Sequence, residues 1–324
     1  MSSIWPLFSL MCTIDSIYIY FTMAKENNFE VVIIGGSYAG LSAAMALGRS
    51  LRSVLIIDSG LPCNRQTPHS HNFITQDGEK PGVIAAKAKA EVLKYSTVQF
   101  LHGLAVGCEK NEAGFLITTQ KGEAFQTKKL IFATGIYDIM PSIKGFAECW
   151  GISVVHCPYC HGFELKNQKT GILANGPRAV HLASLVNNLT NDITIFTMGK
   201  ADFSAEDLSK FSKHNIKIVE TNIAEIEHEN GQLNHLMLDD GSRLNYTALY
   251  AAVPFTQHSD LPHALGCELT EQGYISIDNF QSTTVKGIYA CGDNSGMMRA
   301  VANAVYSGNF AGAMVNKELT DEQF

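Results

Sequence analysis

Residues 31–58 constrain the fold more than any other part of the chain. Val31-Val32-Ile33-Ile34 is a short apolar run that stops at Gly35-Gly36-Ser37-Tyr38-Ala39-Gly40, and Leu41 to Arg49 follows with the Ala- and Leu-rich character of a helix. Ser53-Val54-Leu55-Ile56-Ile57-Asp58 is then a second apolar strand closed by an acid. Strand, glycine turn, helix, strand and acid in this order bring a pyrophosphate to a helix N-terminus and a carboxylate to a ribose hydroxyl. Gly35, Gly36, Ser37, Tyr38, Ala39, Gly40 and Asp58 are therefore candidate dinucleotide contacts. Ser37 stands where the G-x-G-x-x-G pattern has its middle glycine; its side chain is small, and its hydroxyl could itself donate to phosphate. The plainer alternative is a glycine turn that only joins strand to helix.

The pattern recurs. Thr170-Gly171-Ile172-Leu173-Ala174 passes through Asn175-Gly176-Pro177-Arg178-Ala179 into a helix and returns as a strand over 192–197. Two such units predict an α/β protein with two Rossmann-like nucleotide folds, for which 324 residues suffice. The second loop is poorer: Ala174 and Ala179 replace the outer glycines, leaving Gly176 as the candidate contact. Met198-Gly199-Lys200 after its second strand offers neither an acid for a ribose 2′-OH nor an arginine for a 2′-phosphate. NAD(P)H is thus a doubtful ligand, and a fold kept as scaffold is equally open. A net charge of −7 with no Lys/Arg run argues against a nucleic-acid partner.

The chemistry stands between the units, in His156-Cys157-Pro158-Tyr159-Cys160-His161. Two thiols at this spacing can bridge, and the local field can make one of them a reactive thiolate. Next to a dinucleotide fold, the pair points to electrons moving between a nucleotide cofactor and a disulfide. A zinc half-site is the bland alternative. It lacks a second ligand pair, because Cys12, Cys63, Cys108, Cys149, Cys267 and Cys291 form no other CxxC. CPYC also resembles the glutaredoxin tetrapeptide, but residues 162–169 read as a turn running into a new strand rather than a long helix. Eight cysteines are too few for a disulfide scaffold, so the reducing cytoplasm is the expected compartment. The apolar stretch from Ile4 to Phe21 lacks a basic flank and a cleavage site, so neither a membrane span nor a signal peptide is expected; Met23 is a natural start for a soluble chain.

Two further strand-to-glycine segments have the character of phosphate or flavin contacts. Leu130-Ile131-Phe132 ends in Ala133-Thr134-Gly135, and Gly287-Ile288-Tyr289-Ala290-Cys291 ends in Gly292-Asp293, whose acid could accept from a ribitol hydroxyl. A helix is expected from about Arg299 to Asn316.

With GGSYAG, ATG, CPYC and ACGD in this order, residues 29–317 resemble the low-molecular-weight thioredoxin reductases. The resemblance implies three-layer α/β domains: an FAD-binding domain from 29–140 and 253–317, an inserted NAD(P)-type domain over 141–252 carrying the CxxC, and residues 1–28 outside the fold. It implies FAD as cofactor, Cys160 as the flavin-side sulfur, Cys157 as the exchanging one, and a homodimer. His161 stands where that family has an acid-base aspartate; an imidazole with a pKa of about 6.5 suits the task. Arg299-Ala300 replaces the usual Arg-Gln near the flavin, and these two residues are carried as candidate cofactor contacts. His71-Asn72-Phe73, Asp77-Gly78 and CPYCHG are similar to fungal-type dithiol oxidases, which adds Asn72. The leading expectation is an FAD-dependent thiol-disulfide oxidoreductase acting through Cys157, Cys160 and His161 on a small protein or small-molecule disulfide or dithiol. A dithiol oxidase using oxygen or another acceptor without NADPH is the first alternative. A non-catalytic flavoprotein or zinc-binding interaction module is the second.

Overall fold

The structure, a computed structural model, describes residues 27–324; the expectations for the leading apolar segment and Met23 lie outside the described residues. The first repeat folds as its pattern requires. Strand β1 (Asn28–Ile34) leads into helix α1 (Tyr38–Arg49), and β2 (Val54–Asp58) returns parallel to β1 with Val32 opposite Leu55. Helix α2 (Pro81–Val92) precedes β3 (Val98–His102), and β4 (Ala105–Asn111), β5 (Gly114–Thr119) and β6 (Ala124–Phe132) form an antiparallel meander. Strand order is β3-β2-β1-β6-β5-β4. Both faces of β1 are covered, which is why its sequence is an unbroken apolar run rather than an alternating one. Val31 and Ile33 pack with α1 and α2, whereas Val32 and Ile34 pack with Phe115 and Ile117 of the meander.

Strand β7 (Ile136–Asp138) leads the chain out of this sheet, and α3 (Phe146–Cys149) and β8 (Val154–Val155) follow. The CxxC then opens α4 (Pro158–His161), a single turn. The second repeat is β9 (Thr170–Leu173), α5 (Gly176–Val186) and β10 (Ile193–Phe196), continued by α6 (Ala205–Lys213) and β11 (Lys217–Val219). A small antiparallel sheet of β12 (Ile223–Glu229), β13 (Gln232–Leu238) and β14 (Arg243–Asn245) precedes β15 (Ala248–Ala251). The second main sheet is parallel, in the order β11-β10-β9-β15-β8. Ile172, Ile195 and Tyr250 bury against α5 and α6 on one face, while Leu249 and Phe196 meet Ile226 and Leu236 of the small sheet on the other.

Strand β16 (Phe255–Gln257) pairs antiparallel with β7, so the outgoing and returning chain form one two-stranded crossing. After α7 (Leu261–Ala264), β17 (Ile288–Ala290) joins the first sheet beside β6. The two expected Rossmann-like folds, the first assembled from two separated stretches of chain, are the observed fold class. Helix α8 (Val301–Gln323) runs beyond the expected end at Asn316. Its last turns are held by packing and charge rather than left free. The nearly buried Lys129 binds Glu318 and Glu322, and Val315 and Leu319 pack into the core. No helix among the described residues is long and apolar enough to cross a membrane.

Helices α1 and α8 cross at backbone contact. A Cβ on Gly308 would lie 2.0 Å from the Ala39 carbonyl oxygen, and Ser42 already donates its hydroxyl to the Val305 carbonyl at 2.7 Å. Gly308→Ala therefore forces the helices apart and is expected to lower stability by about 1–3 kcal/mol in denaturant unfolding. Gly82→Ala, where a Cβ meets nothing within 4 Å, is expected to raise stability by up to about 1 kcal/mol through helix propensity.

Candidate active site

The glycine turn after β1 makes a cradle by close backbone approach. Gly35 has φ +104°, and a Cβ there would sit 2.2 Å from the Ala133 carbonyl oxygen, so only glycine lets the ends of β1 and β6 lie side by side. Gly36 donates its N–H to Asp58 Oδ1 at 2.9 Å, and Gly60 donates to Asp58 Oδ2 at 3.1 Å. Each oxygen accepts one backbone N–H here and retains a lone pair for a further donor. Ser37 caps α1 by backbone geometry alone, with its hydroxyl unused in the cap. Asn294, fully buried, ties the two later glycine turns together by donating to the Phe132 carbonyl at 2.9 Å and the Thr134 hydroxyl at 3.3 Å.

A cavity of about 700 Å³ extends from this cradle to the CxxC. Its wall includes Gly35, Gly36, Ser37, Tyr38 and Ala39, with Asp58 beside them. Ala133, Thr134, Gly135, Gly292, Asp293, Arg299 and Ala300 also line it, as do Cys160 and His161. Four expected site residues stand elsewhere. Gly40 lies beneath the loop, where a Cβ would meet the Gly35 oxygen; Asn72 is exposed off the wall; Gly176 belongs to the second fold; and Cys157 is not part of the cavity wall.

Cys157 and Cys160 form a disulfide with Cα atoms 5.3 Å apart. The Cys157 sulfur also accepts the Cys160 N–H at 3.1 Å, capping α4, and the Cys160 sulfur lies 4.0 Å from the Arg299 carbonyl oxygen. The turn after α4 brings the chain into β9, as the sequence suggested. Tyr159 and Phe163 stand exposed beside the pair. On the other flank, His156 stacks on Trp150 at 6.0 Å, and its buried Nε2 has no partner. Burial pushes His156 down to about 3, with Arg299 and His161 adding to the effect, so it is neutral. Burial also lowers His161, with His71 reinforcing the shift and Glu164 opposing it.

Two residues in this region, Asp138 and Cys63, were not among the expected site residues and gather around the expected Asp293 and Arg299. Asp138 of β7 takes a bidentate ion pair from Arg299, with both N–O distances 2.8 Å and both side chains largely buried. Asp293 stands 3.9 Å from the Arg299 Nε. Burial pushes Asp293 up to about 6, against the pull of Arg299 and with the push of Asp138. Cys63 lies 3.9 Å from Asp293. It is exposed only in the sense that the cavity reaches it; protein crowds it otherwise, and burial with the Asp293 charge pushes its thiol up to about 11.

The loop of the second fold is closed on itself. Asn175 Oδ1 accepts the N–H groups of Gly176 and Asp202, both at 2.9 Å, and its Nδ2 donates to the Lys200 carbonyl at 2.9 Å. The Asp202 carboxylate lies 3.7 Å from where a Gly176 side chain would begin, so a carboxylate stands at the N-terminus of α5. A dinucleotide pyrophosphate fits this loop poorly, since like charges would face each other there.

Residues 29–308 match the pyridine nucleotide-disulphide oxidoreductase family. The chain belongs to that family. It is 33% identical over 310 residues to thioredoxin reductase tcpT of Claviceps purpurea, covering 92% of this chain and 96% of the relative. It is 32% identical to thioredoxin reductase aclD of Aspergillus oryzae, covering 91% and 98%. Among solved structures, a putative thioredoxin reductase TrxB from Bacillus anthracis superposes with a TM-score of 0.87 at 32% identity, covering 91% of this chain and all of that one. An oxidoreductase from Agrobacterium tumefaciens gives 0.85 at 35%, covering 91% and 99%. The protein is thus a thioredoxin reductase-like, FAD-dependent oxidoreductase, of a family in which NAD(P)H is a possible electron donor. The first fold suits FAD: a glycine cradle, an N-terminus of α1 free of side-chain capping, an acid closing β2, and space running to Cys160.

Asp138→Asn leaves the buried Arg299 charge without its counter-ion and is expected to cost about 3–5 kcal/mol in denaturant unfolding. Cys63 is expected to react slowly with iodoacetamide at neutral pH, faster as pH climbs toward its raised pKa, and more slowly again in FAD-loaded protein. Peptide mass mapping after timed alkylation checks all three.

Proposed function

We propose that the protein passes electrons between FAD and a substrate disulfide or dithiol through Cys157 and Cys160. The observation that carries this reading is that one residue of a bridged pair, Cys160, stands on the wall of the cavity that suits FAD, while its partner Cys157 is not part of that wall. When bound, FAD supplies a two-electron carrier. In the reducing direction, Cys157 thiolate attacks the substrate disulfide, releasing one substrate thiolate and forming a mixed disulfide. Cys160 thiolate then attacks Cys157, restoring the internal bridge and releasing the second substrate thiolate. His161 exchanges the Cys160 proton. In the oxidising direction the same bonds form and break in reverse. The exposed Tyr159 and Phe163 offer apolar surface beside Cys157 for the incoming substrate.

On this reading the FAD-binding part comprises 29–140 and 253–317, and 141–252 carry the pair. The glycine turns and Asp293 hold the cofactor, and the protein works as a homodimer in the cytoplasm. Cys63, Cys108, Cys149, Cys267 and Cys291 are all unpaired, in keeping with a reducing compartment. The closed loop at Asn175 and Asp202 favours a second reading within this one, in which a substrate dithiol rather than a nicotinamide delivers the electrons and oxygen or another acceptor removes them. A zinc-binding module finds little support, because no cluster of three or more His, Cys, Asp or Glu among the described residues could hold a metal.

Anaerobic mixing of the FAD-loaded protein with NADPH, NADH and a dithiol, followed by flavin absorbance, tests both. The dithiol is expected to bleach the flavin, and His161→Asn is expected to slow this by about 10²–10⁴-fold. Rapid bleaching by NADPH would sink the dithiol-driven direction. Unchanged bleaching by dithiol in both Cys157→Ser and Cys160→Ser would sink the thiol-disulfide chemistry.

A further inference from the structure

We propose that Glu164 and His71 are positioning residues for proton exchange at His161, one supplied by each nucleotide fold. The proposal rests on the thiol-disulfide reading above and adds to it the groups that govern its proton. His71 belongs to the loop between β2 and α2, in the first fold; Glu164 belongs to the turn after α4, in the second. Across the joint, His71 Nδ1 lies 3.5 Å from Glu164 Oε1. His71 and His161 line the same cavity.

The loop that presents His71 is braced. Ser70 donates its N–H to the Glu79 carbonyl at 2.8 Å, Gly78 donates to the Ser70 carbonyl at 2.9 Å, and the His69 ring meets the Gly78 carbonyl at 2.9 Å. Asn72, at φ +59°, donates its N–H to Asp77 Oδ1 at 2.7 Å. That accounts for Asn72 without a cofactor contact: it turns the backbone so that its neighbour His71 reaches the joint. Gln66 of the same loop donates its side-chain amide to the carbonyls of Ala147 and Trp150, at 3.1 and 3.2 Å, clasping the second fold.

Opening the Cys157–Cys160 bridge takes two electrons, supplied by the bound flavin or by a substrate dithiol, and up to two protons; closing it returns them. A buried histidine left alone holds a proton weakly. Glu164 favours a proton on His161 and His71 opposes it, so the pair sets His161 between two opposed influences. Of the remaining neighbours, His156 is neutral and Arg299 turns its guanidinium to Asp138. Asp77 sits 3.8 Å from the same His71 Nδ1 that meets Glu164 and is present in both Glu164→Gln and His71→Asn, and the His69 ring lies 6.4 Å from that of His71. Because the two influences come from different folds, His161 is set correctly only while the folds are docked and Cys160 faces the cavity.

Histidine ring resonances of ¹³C-labelled, FAD-loaded protein, followed against pH, test this, with His161 assigned by its loss in His161→Asn. Glu164→Gln is expected to move the His161 midpoint to lower pH, His71→Asn to higher pH, and Glu164→Asp to restore the original value. The acid limb of the dithiol-driven bleaching profile should move in the same two directions. Midpoints that stay put, or that move the same way in both variants, overturn the proposal even if rates fall, since lost packing alone predicts no opposed shifts. Opposed shifts in a protein whose Cys160→Ser variant still bleaches would uphold the pairing and refute the thiol-disulfide reading instead.

Discussion

The buried ion pair between Arg299 and Asp138 holds the reactive centre together. Taking two charges out of water is costly, and a fork of two 2.8 Å bonds is the geometry in which mutual attraction offsets that cost. The pair joins three parts of the chain. Asp138 lies on the crossing strand, Arg299 sits just before α8, and the Arg299 carbonyl touches Cys160. The Arg299 charge pulls down against the raised pKa values of Asp293 and Cys63, which Asp138 pushes the other way, and it helps to keep His156 neutral. A single contact thus locates the disulfide against the cavity and shapes the electrostatics around it.

The two nucleotide folds share topology and differ in use through a few side chains. In the first, Ser37 leaves its hydroxyl out of the cap and glycines keep the backbone close, so the helix N-terminus opens onto a cavity. In the second, Asn175 spends its side chain on the chain's own N–H groups and Asp202 stands where an anion would bind. The α/β scaffold is the same; what each loop can bind is decided by local hydrogen bonding and charge.

Much of the fold was legible because apolar period and glycine turns are local signals. Both strand-turn-helix-strand units, the strands before Ala133 and Gly292, and the turn after the CxxC all form where the pattern placed them. The end of α8 was not legible, since what keeps its last turns helical is Lys129, far away in sequence. Nor was Asp138, an acid in a three-residue strand whose partner is 161 positions distant. Asn72 was drawn in by likeness to a motif, whereas the structure shows a left-handed turn that presents His71.

The amino-acid order alone determined the two nucleotide folds and a pair of thiols able to bridge, because these depend on spacing within short segments. The resemblance already named Cys160 as the flavin-side sulfur, and the second loop already read as the poorer one. Only the tertiary structure decided that Asn175 and Asp202 close that loop, that Asp138 meets Arg299 and which charges surround His161. Those outcomes depend on contacts between residues brought together from both stretches of the first fold and from the fold inserted between them, and no local pattern encodes them.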